Sequence, residues 1–75
     1  GMDRMFENAS SFNQDISSWN VKSISDMRYL FDRASNFNQD LTKWCVEKIS
    51  SEPQRFSSES GLSQSNKPKW GTCPD

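Results

Sequence analysis

Histidine is absent from the 75 residues, and apolar residues make up only 32% of them. Without histidine the chain lacks the commonest general base, and it cannot build a Ser-His-Asp or Cys-His nucleophile or a histidine-containing zinc site. Its two cysteines are too few for a four-thiolate zinc site. The apolar share lies well below the roughly 45–50% of ordinary globular proteins, so the core of so short a domain is small.

The chain also lacks a large excess of either charge sign, and it lacks long hydrophobic runs. Nine basic and ten acidic residues give a net charge of -1, which excludes a strongly basic nucleic-acid-binding domain. No apolar run approaches the roughly 18 residues of a membrane-spanning helix, and no secretory apolar segment is present. We therefore expect no nucleic acid, membrane insertion or cofactor, and we expect any signal or anchor to lie outside this segment.

A 25-residue internal repeat is the strongest feature of the chain. When residues 2–26 are placed over residues 27–51, twelve of the 25 positions are identical. The identities include the four-residue run that begins at Phe12 and at Phe37, and the pair Trp19 and Trp44. Periods of this length are typical of stacked-repeat proteins.

The third unit, 52–75, is degenerate and is predicted to be a C-terminal cap of a single repeat domain spanning 1–75. Phe56 lies 25 residues after Phe31, and one residue inserted later places Trp70 opposite Trp44. The chain opens inside a repeat, so we expect it to be a fragment of a longer array. An uncapped first unit predicts fraying or self-association at the N-terminal end.

The apolar spacing within one unit predicts a short helix followed by a short strand. Met27, Leu30, Phe31 and Ala34 have the i, i+3, i+4, i+7 spacing of one helix face. β-Branched residues around Val21 and its equivalent in the next unit favour a short strand. Stacked units of this kind predict a right-handed α/β solenoid of the leucine-rich-repeat type, with equivalent residues about 5 Å apart.

The repeat units and the tail resemble a known family. The pattern Met-x-x-Met-Phe-x-x-Ala-Ser-x-Phe-Asn-Gln-Asp-Ile-x-x-Trp-x-Val-x-x-Ile, and the ending Trp70-Gly71-Thr72-Cys73, are similar to the BspA-like leucine-rich repeats of bacterial surface proteins. The resemblance implies a secreted or surface-attached protein, often a lipoprotein. It implies adhesion through protein, matrix or surface-glycan contacts, and it supplies no catalytic residues.

In such an extracellular protein the two cysteines are predicted to form a disulfide. Cys45 follows the tryptophan of the second unit and Cys73 follows that of the third, so they lie in neighbouring layers. A small domain that is poor in apolar residues needs such a cross-link. The alternative is a pair of buried free thiols in an intracellular protein.

Two polar pairs recur at equivalent positions of the repeat. Asn13 and Asn38 are predicted to form an asparagine ladder that satisfies backbone groups, and the alternative is a contact patch. Asp15 and Asp40 are predicted to be solvated or turn-capping. A calcium ion held between these two carboxylates, or a paired-acid hydrolase, are the weaker alternatives.

Trp19, Trp44 and Trp70 are predicted to pack in the core, and a sugar-stacking stripe is the alternative. The sequence as a whole predicts a non-enzymatic surface module for protein or matrix binding. The other hypotheses are a carbohydrate-binding module that uses Trp19 and Trp44, and a weak hydrolase that uses Asp15 and Asp40.

Overall fold

A computed structural model describes residues 1–74, and within them it contains no α-helix and no β-strand. The single regular element is a 3₁₀-helix at Gln64–Asn66. The predicted α/β solenoid, with one helix and one strand in each unit, is therefore wrong. The chain instead folds into a compact domain of hydrogen-bonded turns.

Each unit is a series of four-residue turns, closed by a hydrogen bond from the amide of the fourth residue to the carbonyl of the first. In the second unit these turns cover 27–30, 31–34, 34–37, 41–44 and 46–49, with N···O distances of 3.0–3.2 Å. The first unit has the same five turns, at 2–5, 6–9, 9–12, 16–19 and 21–24. In the second unit the first and fourth residues of these five turns are buried, so turn ends provide the core. A further bond, from the Asp32 amide to the Tyr29 carbonyl at 3.3 Å, overlaps the first two turns.

This turn arrangement explains why the helix prediction failed. Two consecutive four-residue turns place their end residues at i, i+3, i+4 and i+7, which is also the spacing of one helix face. The third residue of each turn rules out a helix, because Tyr29 has φ 59° and Arg33 has φ 63°. A positive φ at the third position is the signature of a type II turn.

The predicted strand is likewise replaced by turns. Val21 begins the turn 21–24 and Val46 begins the turn 46–49. The Val46 amide donates to the Thr72 carbonyl at 2.9 Å, which is one bond to the next unit rather than a ladder. β-Branched residues are used here because they fill the core, not because the backbone is extended.

The three units lie side by side, with equivalent residues in contact. Residues 4, 6 and 8 donate backbone hydrogen bonds to the carbonyls of residues 28, 30 and 32, and residues 29, 31 and 33 donate to residues 54, 56 and 58. These six bonds all run from an earlier unit to a later one. Equivalent rings of the first and second units are 5.5–5.6 Å apart, and Phe56 of the third unit lies edge-on to Phe31 at 5.4 Å.

One apolar core runs through all three units. Trp44 is its largest fully buried side chain, with 1% of its surface exposed, and the indole Nε1 donates to the Ile16 carbonyl at 3.0 Å. The core residues are Met2, Ile16, Val21, Met27, Leu30, Phe31, Ala34, Phe37, Leu41, Trp44, Val46, Ile49, Phe56 and Leu62.

The first turns of the third unit are out of step with the second unit by one residue, a shift that the sequence did not predict. Phe56 ends the turn 53–56 and follows a positive-φ residue, so it corresponds to Leu30 rather than to Phe31. The inserted residue therefore precedes this turn. The segment after the next turn is one residue shorter and presses against the second unit. A Cβ at Gly61 would lie 2.6 Å from the Ser35 carbonyl oxygen, which explains the glycine there.

Positive φ at non-glycine turn positions makes these residues sensitive to side-chain shape. Arg33 corresponds to Asn8, which has φ 62° and is a residue type that tolerates this conformation. We expect Arg33→Asn to stabilise the fold by about 0.5–1 kcal/mol and Arg33→Val to destabilise it by about 1–2 kcal/mol. The lost ion pair with Glu59 is long, at 3.7 Å, and exposed, so it matters little.

Urea unfolding of the oxidised protein measures both effects at Arg33. The same two substitutions at exposed Lys43, which has no positive φ, serve as the control. Equal effects of valine at the two positions would show that backbone strain is not the cause.

Candidate functional site

The C-terminal cap is held to the second unit by a disulfide. The predicted Cys45–Cys73 bond is present, closing a sequence separation of 28 residues. The Gly71 amide donates to the Ile49 carbonyl at 2.7 Å beside it. The two sulfurs and Glu47 are the one group of three potential metal ligands in residues 1–74. Disulfide sulfurs are not thiolates, so the group is not suited to hold a metal.

Asn13 and Asn38 connect successive units through their side-chain carbonyls. Asn13 Oδ1 accepts from the Asn38 amide at 3.0 Å, and Asn38 Oδ1 accepts from the Ser63 amide at 2.9 Å. Each Oδ1 also accepts a side-chain amide at 3.0 Å, from Gln39 in one case and Asn66 in the other. These bonds satisfy backbone groups on an exposed edge, so the pair has a structural task.

Two substitutions of Asn38 test whether its side-chain oxygen stabilises the fold by accepting hydrogen bonds. Asn38 Oδ1 only accepts, so Asn38→Asp keeps both bonds and is expected to change stability by less than about 0.5 kcal/mol. Asn38→Ala leaves the Ser63 amide without this partner and leaves Asn66 Nδ2 with only its 3.3 Å bond to the Asn38 carbonyl, so it is expected to cost about 1 kcal/mol. Urea unfolding at pH 7 measures both, and equal losses in the two variants would contradict the accepting role.

Asp15 and Asp40 cap turns. Asp15 Oδ1 accepts from the amide and hydroxyl of Ser17 at 3.0 and 2.7 Å, and Asp40 Oδ1 accepts from Thr42 in the same way at 2.9 and 2.6 Å. These bonds lower the pKa of both carboxyls. Both groups are thus ionised at neutral pH, whereas a paired-acid hydrolase needs one protonated carboxyl.

Asp26 caps the turn 27–30 and has the largest pKa shift of the three. Its Oδ1 accepts from the Arg28 side chain and amide at 3.0 and 3.1 Å, and these bonds lower the pKa from 3.8 to about 2. A lowered pKa stabilises the fold above the unfolded value of 3.8. That contribution is lost as the pH falls toward 2, because the unfolded chain binds the protons first.

We therefore expect stability to be nearly flat from pH 7 to 5 and to fall between about pH 4 and 2. Urea titrations across this range measure the effect. Asp26→Asn is expected to be less stable at pH 7 and to lose less stability on acidification. An unchanged acid transition in this variant would show that Asp26 contributes nothing to it.

The tryptophans do not form a common surface. Trp44 is 1% exposed, Trp70 is half-buried against Phe56, and Trp19 is 42% exposed. The prediction of core packing is thus confirmed for Trp44 and wrong for Trp19. A sugar-stacking stripe that uses both Trp19 and Trp44 has only one accessible ring.

A band of side chains at the turn apexes was not predicted from the sequence. Six residues with positive φ occupy the third positions of the first two turns in all three units. We call them the turn-apex row: Arg4, Tyr29, Arg55, Asn8, Arg33 and Glu59. Only Asn8 carried a sequence signal, since asparagine is common in this conformation. The residue types at the other five positions do not indicate positive φ.

Contacts along the turn-apex row join neighbouring units. The Arg4 guanidinium carbon lies 3.9 Å from the centre of the Tyr29 ring. Arg55 Nη2 donates to Asp32 Oδ1 at 2.9 Å, and only 6% of the Asp32 side chain is exposed. That bond raises the pKa of Arg55. The row is therefore ordered by its own contacts rather than loosely solvated.

A shallow groove of about 540 Å³ runs between the starts of the second and third units. Charges of both signs line it, from Asp26, Arg28, Lys48 and Glu52. Asp26 is paired with Arg28 and Glu52 with Lys67, so Lys48 is the one lining charge that has no ion pair within residues 1–74.

The N-terminal end is tied to the second unit. The Met2 side chain is buried and its amide donates to the Asp26 carbonyl at 3.1 Å. Arg4 and Asn8 donate in the same way to Arg28 and Asp32. Fraying of residues 2–9 and self-association through this end remain predictions.

Comparison with known proteins gives one family. The family described as "Mycoplasma protein of unknown function, DUF285" matches residues 1–72. No curated protein and no solved structure matches the chain. No helix within residues 1–74 is long and apolar enough to cross a membrane. The match covers nearly all of the chain, and the chain therefore belongs to the DUF285 family.

Proposed function

We infer that this chain is a non-enzymatic extracellular module that binds another protein through the turn-apex row. The observation that carries the proposal is the row itself, with six non-glycine residues at positive φ in one band. Such a conformation costs roughly 1–2 kcal/mol for each residue, and strained residues cluster at functional sites.

The composition of the row supports a protein partner. Arginine and tyrosine are enriched at protein interfaces, and the row holds three arginines and a tyrosine. Stacked repeats present such side chains as an extended surface without needing a pocket. The mixture of both charge signs favours a protein surface over nucleic acid.

The disulfide supports the extracellular part of the proposal. Such bonds form and persist in oxidising compartments, and Cys45–Cys73 joins the cap to the repeat. The resemblance of the repeat to BspA-like surface proteins points the same way and suggests adhesion as the biological role. Localisation of the native protein by cell fractionation, with its thiols alkylated before lysis, tests this part. Two alkylated thiols in an intracellular pool would contradict it.

Binding to immobilised matrix proteins and to a glycan array tests the row. Arg4→Asn and Tyr29→Asn use a residue that keeps positive φ, so the fold is retained. Each is expected to weaken protein binding about tenfold, the effect of a residue worth about 1.4 kcal/mol. Lys43→Asn removes an exposed charge outside the row and is expected to bind like the wild type. Unchanged binding in both row variants would remove the row as the site.

A carbohydrate-binding role is the second candidate, and it rests on Trp19 alone. Its ring is 42% exposed, while the partner ring of the stripe, Trp44, is buried. Glycan binding that is lost in Trp19→Ala, but kept in the row variants, would favour this role over protein binding.

A further inference from the structure

The outer side of the first unit exposes apolar side chains whose equivalents in the second unit are buried. We call this side the first-unit face, formed by Met5, Phe6, Phe12 and Trp19. Met5 is 50% exposed and Trp19 is 42% exposed, whereas their equivalents Leu30 and Trp44 are 0% and 1% exposed. Met5 and Trp19 are the two large apolar side chains that are exposed in residues 1–74.

The backbone of the first-unit face presents acceptors. The carbonyls of Asp3, Met5 and Glu7 accept no backbone hydrogen bond from within residues 1–74. Their equivalents in the second unit, the carbonyls of residues 28, 30 and 32, each accept one from the first unit at 2.7–2.9 Å. The face is therefore arranged to receive three amides at the spacing that a unit of this repeat provides.

The outer side of the third unit presents the complementary donors. We call it the third-unit face. The amides of Arg55, Ser57 and Glu59 donate no backbone hydrogen bond within the described chain, while their equivalents in the second unit, residues 29, 31 and 33, each donate one. The two ends of the domain thus have opposite backbone polarity.

We propose that copies of this chain associate head to tail, with the third-unit face of one copy on the first-unit face of the next. The amides of Arg55, Ser57 and Glu59 then meet the carbonyls of Asp3, Met5 and Glu7 in the register used between units. Apolar contact adds little on the third-unit side, because Phe56 is 0% exposed and Leu62 is 7% exposed, and Trp70 is half-buried.

The same polarity disfavours the symmetric alternative. Two first-unit faces placed together oppose carbonyl to carbonyl, and two third-unit faces oppose amide to amide, leaving buried groups unpaired. Ser57 stands where Phe31 and Phe6 stand in the other units, so the aromatic column is interrupted at the contact. Association is therefore weaker than the packing between units. A contact between unlike faces that repeats along one axis does not close, so assembly is open-ended.

This proposal goes beyond the proposed function, because it uses the two ends of the domain, and of the turn-apex row only the backbone amides of Arg55 and Glu59. Sedimentation equilibrium of the oxidised chain, from micromolar to millimolar concentration, is the test. The average mass is expected to rise continuously past that of a dimer. Met5→Glu on one face and Ser57→Glu on the other are each expected to remain monomeric. Ser18→Glu, an exposed position on neither face, is expected to assemble like the wild type.

Mixing the two blocked variants decides the geometry. Each keeps one intact face, so an equimolar mixture is expected to form a heterodimer and to stop there. Dimerisation of Ser57→Glu alone, with no gain on mixing, would overturn the head-to-tail arrangement in favour of a symmetric contact. A wild type that is monomeric at every concentration would overturn the proposal altogether. Near-ultraviolet circular dichroism checks folding, and Trp19→Gln and Ser57→Pro are second variants for the two faces.

Discussion

Reduction of the Cys45–Cys73 disulfide is expected to lower the free energy of unfolding by about 3–4 kcal/mol. The bond closes a sequence separation of 28 residues, and the estimate follows from the chain entropy that this closure removes from the unfolded state. A domain of this size has a total stability of about 4–11 kcal/mol. The small apolar share places this chain at the lower end of that range, so loss of the bond removes most of its stability.

The structure makes the effect of reduction global rather than local. The third unit covers the second, and Phe56 packs edge-on against Phe31 at 5.4 Å. Three backbone hydrogen bonds from residues 29, 31 and 33 also end on this unit. When the cap detaches, the central core opens to water on one side, and the units have no other means of closing it.

Urea unfolding with and without a reductant, followed by tryptophan fluorescence, measures this loss. The double variant Cys45→Ser, Cys73→Ser is expected to match the reduced protein and to be unaffected by the reductant. Coincident transitions for oxidised and reduced wild type would show that the bond contributes nothing to the fold. A transition that shifts only for residues 52–74, detected by hydrogen exchange, would show that the cap opens as a separate unit.

The repeat and the apolar spacing correctly predicted which side chains are buried, but they did not predict the backbone conformation. Met27, Leu30, Phe31 and Ala34 were expected to face inward, and all four are fully buried. The conformation was wrong because a helix and two consecutive turns share that spacing, and only φ at the intervening residues distinguishes them. Tyrosine and arginine at positions 29 and 33 give no hint of positive φ, since the tertiary contacts of the turn impose it.

The cross-link and the polar pairs were easier to predict, because they depend on which residues are neighbours and not on how the backbone turns. A 25-residue period alone brings Asn13 beside Asn38, and Cys45 into the layer next to Cys73. The register of the third unit was harder. A phenylalanine 25 residues after Phe31 looked equivalent, but an insertion before the turn 53–56 and a deletion at Gly61 cancel each other in the count.

Phe31→Ala is expected to cost about 3–5 kcal/mol, the usual loss for a fully buried phenylalanine, and to leave much of the oxidised protein unfolded. The Phe31 side chain is 0% exposed, and its ring packs against rings of all three units. Its ring centre is 4.2 Å from that of Phe37, 5.6 Å from that of Phe6 and 5.4 Å from that of Phe56. The cavity left by the ring cannot collapse, because packed units surround it.

The repeat supplies a matched control at Phe6, which occupies the same turn position in the first unit. Phe6 is half-buried, and within residues 1–74 no other unit covers its outer side, so Phe6→Ala is expected to cost about 1–2 kcal/mol. Urea unfolding of both oxidised variants, below the concentration at which copies associate, gives the difference. Because residue type and backbone position are the same, that difference measures what a covering unit contributes. Equal losses at the two positions would mean that the units are stabilised individually, and that stacking them buries little of the core.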